Sequence, residues 1–189
     1  MLEFMQRCFR YFLIYCRILF LKVCSFFLGI EIVNASLLKS TFGASRILKS
    51  FGASIGRQPV IHGPLIIHNA VKDYANLKVG TNVHIGRNVF LDLSDSITIG
   101  DHAVISMNCT LLTHQDVGNR PLQSVYPRVI KQLRIGRNAY LGTGVTLLAG
   151  SSIGESSVVG AGAVVDRPVS DRQVVAGIPA KVIKKLSDI

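Results

Sequence analysis

Five histidines and four cysteines are the side chains in this sequence best suited to act as a base, a nucleophile or a metal ligand. Their positions separate them. His62 and His68 directly follow Ile61 and Ile67, His84 directly precedes Ile85, and His102 follows Asp101. Each of these occupies a slot that recurs along the chain, which reads as a solvated turn position. His114 differs: it follows Thr113 where the regular pattern stops and opens a stretch, 115–134, of quite another composition. An imidazole at the mouth of a loop is suited to general-base work, because its ordinary pKa of about 6.5 lies close to neutral pH. A zinc site would need a second histidine about five residues away and a third upstream. His114 has no such partner, so no metal is expected. Cys109 stands in a slot otherwise held by small residues and reads as packing. Cys8, Cys16 and Cys24 fall in an apolar segment. No CxxC or disulfide framework appears, which points to a reducing compartment.

The elements that must position His114 come from a repeat. Between Ile135 and Val165 an aliphatic residue recurs at every sixth position: Ile135, Leu141, Leu147, Ile153, Val159, Val165. A glycine usually follows it, and a small or β-branched residue stands four places on. Helices repeat at 3.6 and strands alternate at 2, so a period of six belongs to neither alone. It marks a solenoid in which each hexad supplies one short strand and one corner, three hexads closing a triangular coil. Coils then stack at roughly 4.8 Å, the spacing of paired strands. The same period runs through Ile55, Ile61 and Ile67, skips a polar patch around Asp73, and returns with Val79, Ile85, Leu91 and Ile97. It slips by two at Ile99, continues to Ile105 and Leu111, and lapses over 115–134. Such an interruption in a regular array marks a functional loop.

The first 52 residues are different in kind. Residues 8–30 are rich in Phe, Leu, Ile and Cys, but Arg10, Arg17 and Lys22 break the run. On a helical wheel Glu3, Gln6, Arg7, Arg10, Arg17, Lys22 and Ser25 share one arc of roughly 160°. That pattern predicts an amphipathic helix lying on a membrane with its cations toward the headgroups. A second amphipathic stretch, Val33 to Phe51, is expected to be interrupted at Gly43. Packing on the open end of the solenoid, packing on a neighbouring subunit, and a true membrane span are the competing placements. Cations dominate residues 1–57: Arg7, Arg10, Arg17, Lys22, Lys39, Arg46, Lys49 and Arg57 stand against Glu3 and Glu31. The partner expected for this basic segment is an anionic membrane surface. No nucleic-acid module is present, so none is expected to bind.

Several stretches resemble one known family. Asn82-Val83-His84-Ile85-Gly86-Arg87-Asn88-Val89-Phe90, Ile97-Thr98-Ile99-Gly100-Asp101, Thr113-His114, residues 158–165 and residues 174–183 are similar to the hexapeptide-repeat acyltransferases of the maltose and galactoside O-acetyltransferase type. The likeness covers roughly residues 55–186. It implies that the β-helix is left-handed, against the usual hand of crossovers. It also implies a homotrimer with active sites between subunits and acetyl-CoA as donor. His114 would deprotonate a sugar hydroxyl as it attacks the thioester, with no acyl-enzyme, and a backbone N–H near Gly142 or Thr143 would steady the oxyanion. Asp92 matches a position where the family often carries an acceptor-binding Asn; a carboxylate there would hold a sugar hydroxyl or orient His114. Tyr140 stands where a Trp is common and is a candidate for contact with substrate. Gly160 and Ala161 would line the pantetheine arm, and Arg167, Lys181 and Lys184 would meet the phosphates of CoA.

The expectation is therefore two parts: an amphipathic helical, membrane-associating segment (1–52) and a left-handed parallel β-helix acyltransferase domain (53–189) with an acceptor loop at 115–134. The expected activity is O-acetylation of a sugar in surface polysaccharide biosynthesis (O-antigen, capsule or exopolysaccharide), on the cytoplasmic side of the membrane, with a sugar or lipid-linked saccharide as acceptor. A free sugar or an antibiotic as acceptor, and a non-catalytic β-helix scaffold at the membrane, are the alternatives.

Overall fold

The hexads fold as short strands on the three faces of a prism. The computed structural model describes residues 2–39 and 42–187. It is a left-handed parallel β-helix of about five coils, preceded by helices. The first face carries strands Ser54–Ile55, Leu77–Val79, Ile97–Ile99, Leu133–Ile135 and Ser152–Ile153. The second carries Val60–Ile61, His84–Ile85, Val104–Ile105, Tyr140–Leu141 and Val158–Val159. The third carries Leu65–His68, Val89–Asp92, Thr110–Leu111, Thr146–Leu147 and Val164–Val165. Each aliphatic stacks on its counterpart one coil away: Ile99 on Ile135 and Ile135 on Ile153. Their side chains fill the prism, with Ile85, Leu91, Ile105, Leu111, Leu141 and Leu147 fully buried. Burying a run of branched aliphatics stabilises the stack by ~1.5–3 kcal/mol per side chain relative to exposure.

Departures from a strict eighteen-residue coil are excursions at corners. One, after His68, lengthens the first coil, so that Ile55 pairs with Val79 rather than with a residue eighteen on. The large one leaves after His114. Its base is tied by antiparallel pairing of His114–Gln115 with Val129–Ile130 and by Lys131 N–H donating to Thr113 O at 2.8 Å. Leu133–Ile135 is already back in the first face, so the excursion is shorter than the sequence reading of 115–134. At the far end Gln173–Ala176 extends the second face and Lys181–Lys185 turns back antiparallel to it. The basic tail is thus a strand.

Three helices precede the prism: α1 (Leu2–Leu28), α2 (Glu31–Lys39) and α3 (Ala44–Ser50). Gly43, at φ 74°, ends the approach to α3 in the left-handed region where a side chain is strained. Val33 and Leu37 of α2 and Ile47 and Leu48 of α3 are fully buried, in one core with Leu65 and Tyr74 of the first coil. The helices therefore close one end of the prism. α1 docks on α2 and α3 through Ile14, Ile18 and Leu21. The cationic arc does not point away from the protein, as the wheel suggested. Arg17 Nη2 donates to Ser36 O at 2.9 Å and to Ser36 Oγ at 2.6 Å, and the Arg10 guanidinium lies 5.9 Å from the Phe42 ring centre. The wheel gave the arc correctly; the direction follows from backbone carbonyls at the α2–α3 turn that need donors. The Glu3 side chain lies outside the described residues.

Candidate active site

Three successive coils each place a polar residue at the corner after the third face. The first supplies Asn69, directly after strand Leu65–His68, with φ 58°. Asparagine tolerates that left-handed conformation. The second supplies Asp92, the last residue of its strand, and the third supplies Thr113 and His114. Sheet register brings them together: His68 pairs with Asp92 and Leu91 with Leu111.

Asp92 is fully buried, and among the described residues no Lys or Arg is paired with it. Its charge is met by donors instead. Oδ2 accepts from the backbone N–H of Thr113 and of His114, both at 2.9 Å, and from His114 Nδ1 at 2.6 Å. Oδ1 accepts from Asn69 Nδ2 at 2.7 Å and from Ser94 Oγ at 2.9 Å. The Thr113 hydroxyl lies 2.8 Å from Asp92 O and 2.9 Å from Oδ2 and gives its one hydrogen to either. Burial alone would push this carboxyl up. The hydrogen bonds from His114, Asn69, Thr113 and Ser94 outweigh burial and hold it well below the usual carboxylate range. An ionised carboxylate only accepts, so Nδ1 of His114 carries the hydrogen and Nε2 keeps the lone pair. The imidazole is 26% exposed. The arrangement is a buried carboxylate holding a partly exposed imidazole in the tautomer of a general base.

A cavity of about 410 Å³ lies beside Asn69 and Ser94 and is lined also by Val71, Lys72, Asn76 and Arg128, but by neither Asp92 nor His114. Asn69 and Ser94 belong to both the cavity wall and the Asp92 network. Arg128 comes from the far limb of the loop, where it meets Asp116 at 3.4 Å.

The remaining candidates lie elsewhere on the prism. Tyr140 is on the second face, 42% exposed, its hydroxyl 3.3 Å from Ser106 Oγ. Gly142 and Thr143 sit at the corner after it, and Gly160 and Ala161 at the same corner one coil on. The N–H of Gly142 is already committed to Val159 O at 2.8 Å, so of the two residues proposed to face an oxyanion only Thr143 remains. A Cβ on Gly142 would meet Ala161 N at 2.7 Å, so coil stacking itself demands this glycine. Arg167 follows the third face two strands on from His114, and its guanidinium is held by the Asp166 carboxylate at 2.8 and 3.0 Å. Lys181 and Lys184 lie exposed on the last strand. One chain thus unites Asp92 with His114 but does not gather the other candidates around them.

The other histidines have local roles. The His62 and His84 rings lie 4.9 Å apart, tilted by 49°, His68 lies 5.9 Å from Phe90, and His102 takes a left-handed corner (φ 60°) beside Asn82. Cys109 is buried, its thiol pushed up by burial and directed to Gly142 O at 3.2 Å, the state of an inert packed thiol. No cluster of metal-ligating side chains occurs among the described residues. Asn69 and Ser94 were not singled out from sequence; the one signal was the break in period after Ile67.

Family models agree with this architecture. The bacterial transferase hexapeptide model (six repeats) matches residues 133–167, and the hexapeptide repeat of succinyl-transferase matches residues 76–113. A galactoside O-acetyltransferase of Lactococcus lactis is 30% identical over 142 residues, covering 75% of this chain and 67% of the relative. A putative lipopolysaccharide biosynthesis O-acetyl transferase of Escherichia coli, WbbJ, is 34% identical over 115 residues, 55% of this chain and 58% of that protein. A solved structure of a galactoside acetyltransferase in complex with coenzyme A superposes with a TM-score of 0.66 at 25% identity, over 84% of this chain and 79% of that one.

Proposed function

The chain belongs to the hexapeptide-repeat acetyltransferases, and from that premise we propose that it moves an acetyl group from acetyl-CoA to a sugar hydroxyl in the biosynthesis of a surface polysaccharide. The observation that carries this reading is the 2.6 Å contact between His114 Nδ1 and buried Asp92, which leaves Nε2 as the base. Nε2 takes the acceptor's hydroxyl proton as the oxygen attacks the thioester carbonyl. The tetrahedral intermediate then collapses, the C–S bond breaks, and CoA leaves as the thiol with the proton from Nε2. Asp92 holds the ring and offsets its positive charge between the two transfers, as a carboxylate does behind other catalytic histidines.

The separation of the candidates supports a homotrimer. With a second copy alongside, the corner of Thr143, Gly160 and Ala161 of one subunit would face His114 of another across a seam that admits pantetheine, and Lys181, Lys184 and Arg167 would meet the phosphates. The cavity beside Asn69 and Arg128, with Asp92's donors in its wall, is the proposed place of the acceptor. The putative lipopolysaccharide biosynthesis O-acetyl transferase among the relatives and the apolar, basic N-terminus support an acceptor at the cytoplasmic face of the membrane, lipid-linked saccharide included. Residues 1–52 would hold the enzyme there peripherally. The galactoside acetyltransferase among the relatives supports a free sugar as the second reading.

A thiol-release assay with acetyl-CoA and a panel of saccharides tests the proposal. Release with a sugar acceptor, abolished by His114→Ala, is expected. No release with any acceptor would favour a non-catalytic scaffold, and undiminished release by His114→Ala would remove the assigned base.

A further inference from the structure

α1 turns its polar arc toward the protein and its apolar arc away from it. Phe9, Phe12, Phe20, Phe26 and Phe27 are 61–83% exposed, on the side away from the docked residues Ile14, Ile18 and Leu21. A helix of 27 residues is about 40 Å long, so this is a continuous aromatic and aliphatic stripe, far more apolar surface than a soluble face carries. On the wheel the exposed Lys22 stands at one border of the stripe, and no acidic side chain falls within it. An uncharged aromatic stripe with a cation at its edge matches acyl chains beneath phosphate headgroups.

Composition alone also allows α1 to cross a bilayer. Its docking argues otherwise. The middle of the helix is held at three successive turns: the Arg46 guanidinium lies 4.3 Å from the Tyr11 ring centre, Ile14 packs against Gly43, and Arg17 donates to Ser36. α3 then enters the prism at once, Ala53 N–H donating to Leu48 O at 3.0 Å. An upright α1 would carry Arg17, Ser36 and the first coil's polar corners into hydrocarbon, where unmatched polar groups are costly.

We infer that α1 is an in-plane anchor, inserted by its phenylalanine face into the outer few ångströms of one leaflet, with the prism standing on the cytoplasmic side of it. The inference rests on the membrane association proposed above and adds its geometry and driving force. Attachment comes from apolar insertion. α2, on which α1 rests, packs on strand Leu65–His68, next to the strand that ends in Asp92.

The chain has no tryptophan, so one introduced tryptophan is an unambiguous reporter. Full-length Phe9→Trp, Phe12→Trp, Phe20→Trp and Phe27→Trp are mixed with phosphatidylcholine vesicles brominated at shallow or at deep acyl positions. All four are expected to be quenched to the same degree, more by shallow than by deep bromines, and the protein is expected to float with these uncharged vesicles at high salt. Deep quenching at Phe12→Trp and Phe20→Trp with shallow quenching at the two ends would mean a span: the in-plane inference falls and membrane association stands. Flotation only with anionic vesicles, lost in salt, would overturn apolar insertion alone. Absence of both quenching and flotation would overturn this inference together with the membrane association beneath it and leave the acetyl-transfer reading untouched.

Discussion

At the scale of single residues, Asp92 and His114 divide the work. His114→Ala removes the base while leaving its donors to Asp92 from the backbone intact; kcat is expected to fall by about 10²–10⁴ with thermal stability close to wild type. Asp92→Asn keeps the shape but cannot hold the ring in the same way, because an amide does not offer Nδ1–H a charged acceptor. Its kcat is expected to fall by a similar order, up to about 10⁴ as for carboxylates behind other catalytic histidines, and its stability is expected to change as well. The sign of the pH dependence follows from the depressed carboxyl. A carboxyl held below its unfolded value of about 3.9 stabilises the fold above that pH, and the contribution is lost as pH falls through the folded value. Chemical denaturation of wild type and Asp92→Asn should therefore show the widest gap near neutrality, narrowing below about pH 4. A gap that persists at acid pH would mean that Asp92 acts through packing alone.

At the scale of elements, the corners explain which residues can be read as site and which as scaffold. Gly142→Ala would press a Cβ to 2.7 Å from Ala161 N in the next coil. Relieving that overlap moves backbone, at a cost of about 1–3 kcal/mol, so a melt should show a lower Tm even with saturating acetyl-CoA. Tyr74 ties the excursion after His68 to the helices: its buried hydroxyl donates to Asn34 Oδ1 at 2.8 Å, and Asn34 Nδ2 donates to Glu31. Tyr74→Phe leaves Asn34 without its donor and is expected to cost about 1–3 kcal/mol, a fall in Tm of several degrees in the same measurement. These cases also mark how far the sequence could be read. The six-residue period sufficed for the coils, because one aliphatic per hexad has nowhere to go but the prism interior. His114 was legible because it ends that period. Asn69 was not, because its bond to Asp92 joins corners 23 residues apart in successive coils; Ser94 stands only two residues from Asp92, but a corner Asn or Ser looks the same whether or not it faces a carboxylate. The direction of α1's polar arc was equally hidden, since a wheel gives the angle between faces but not which one finds a partner.

At the scale of the whole molecule, one chain holds the base and its carboxylate at one corner of the prism and Thr143, Gly160 and Ala161 at another. A rigid prism cannot fold one corner onto the next, so chemistry that needs both requires a second copy, and a closed ring of three uses every seam alike. Sharing makes a prediction that self-contained sites do not. Ala161 is exposed at its corner, so Ala161→Trp should block the seam without disturbing the stack. His114→Ala and Ala161→Trp should each be inactive as a pure protein. When the two are unfolded together and refolded as mixed trimers, some seams pair the intact His114 of one variant with the intact corner of the other. Random assembly from equal parts gives such a seam about one time in four. Thiol release should therefore return to roughly a quarter of the wild-type rate. If every chain were self-sufficient, the mixture would stay as inactive as its components.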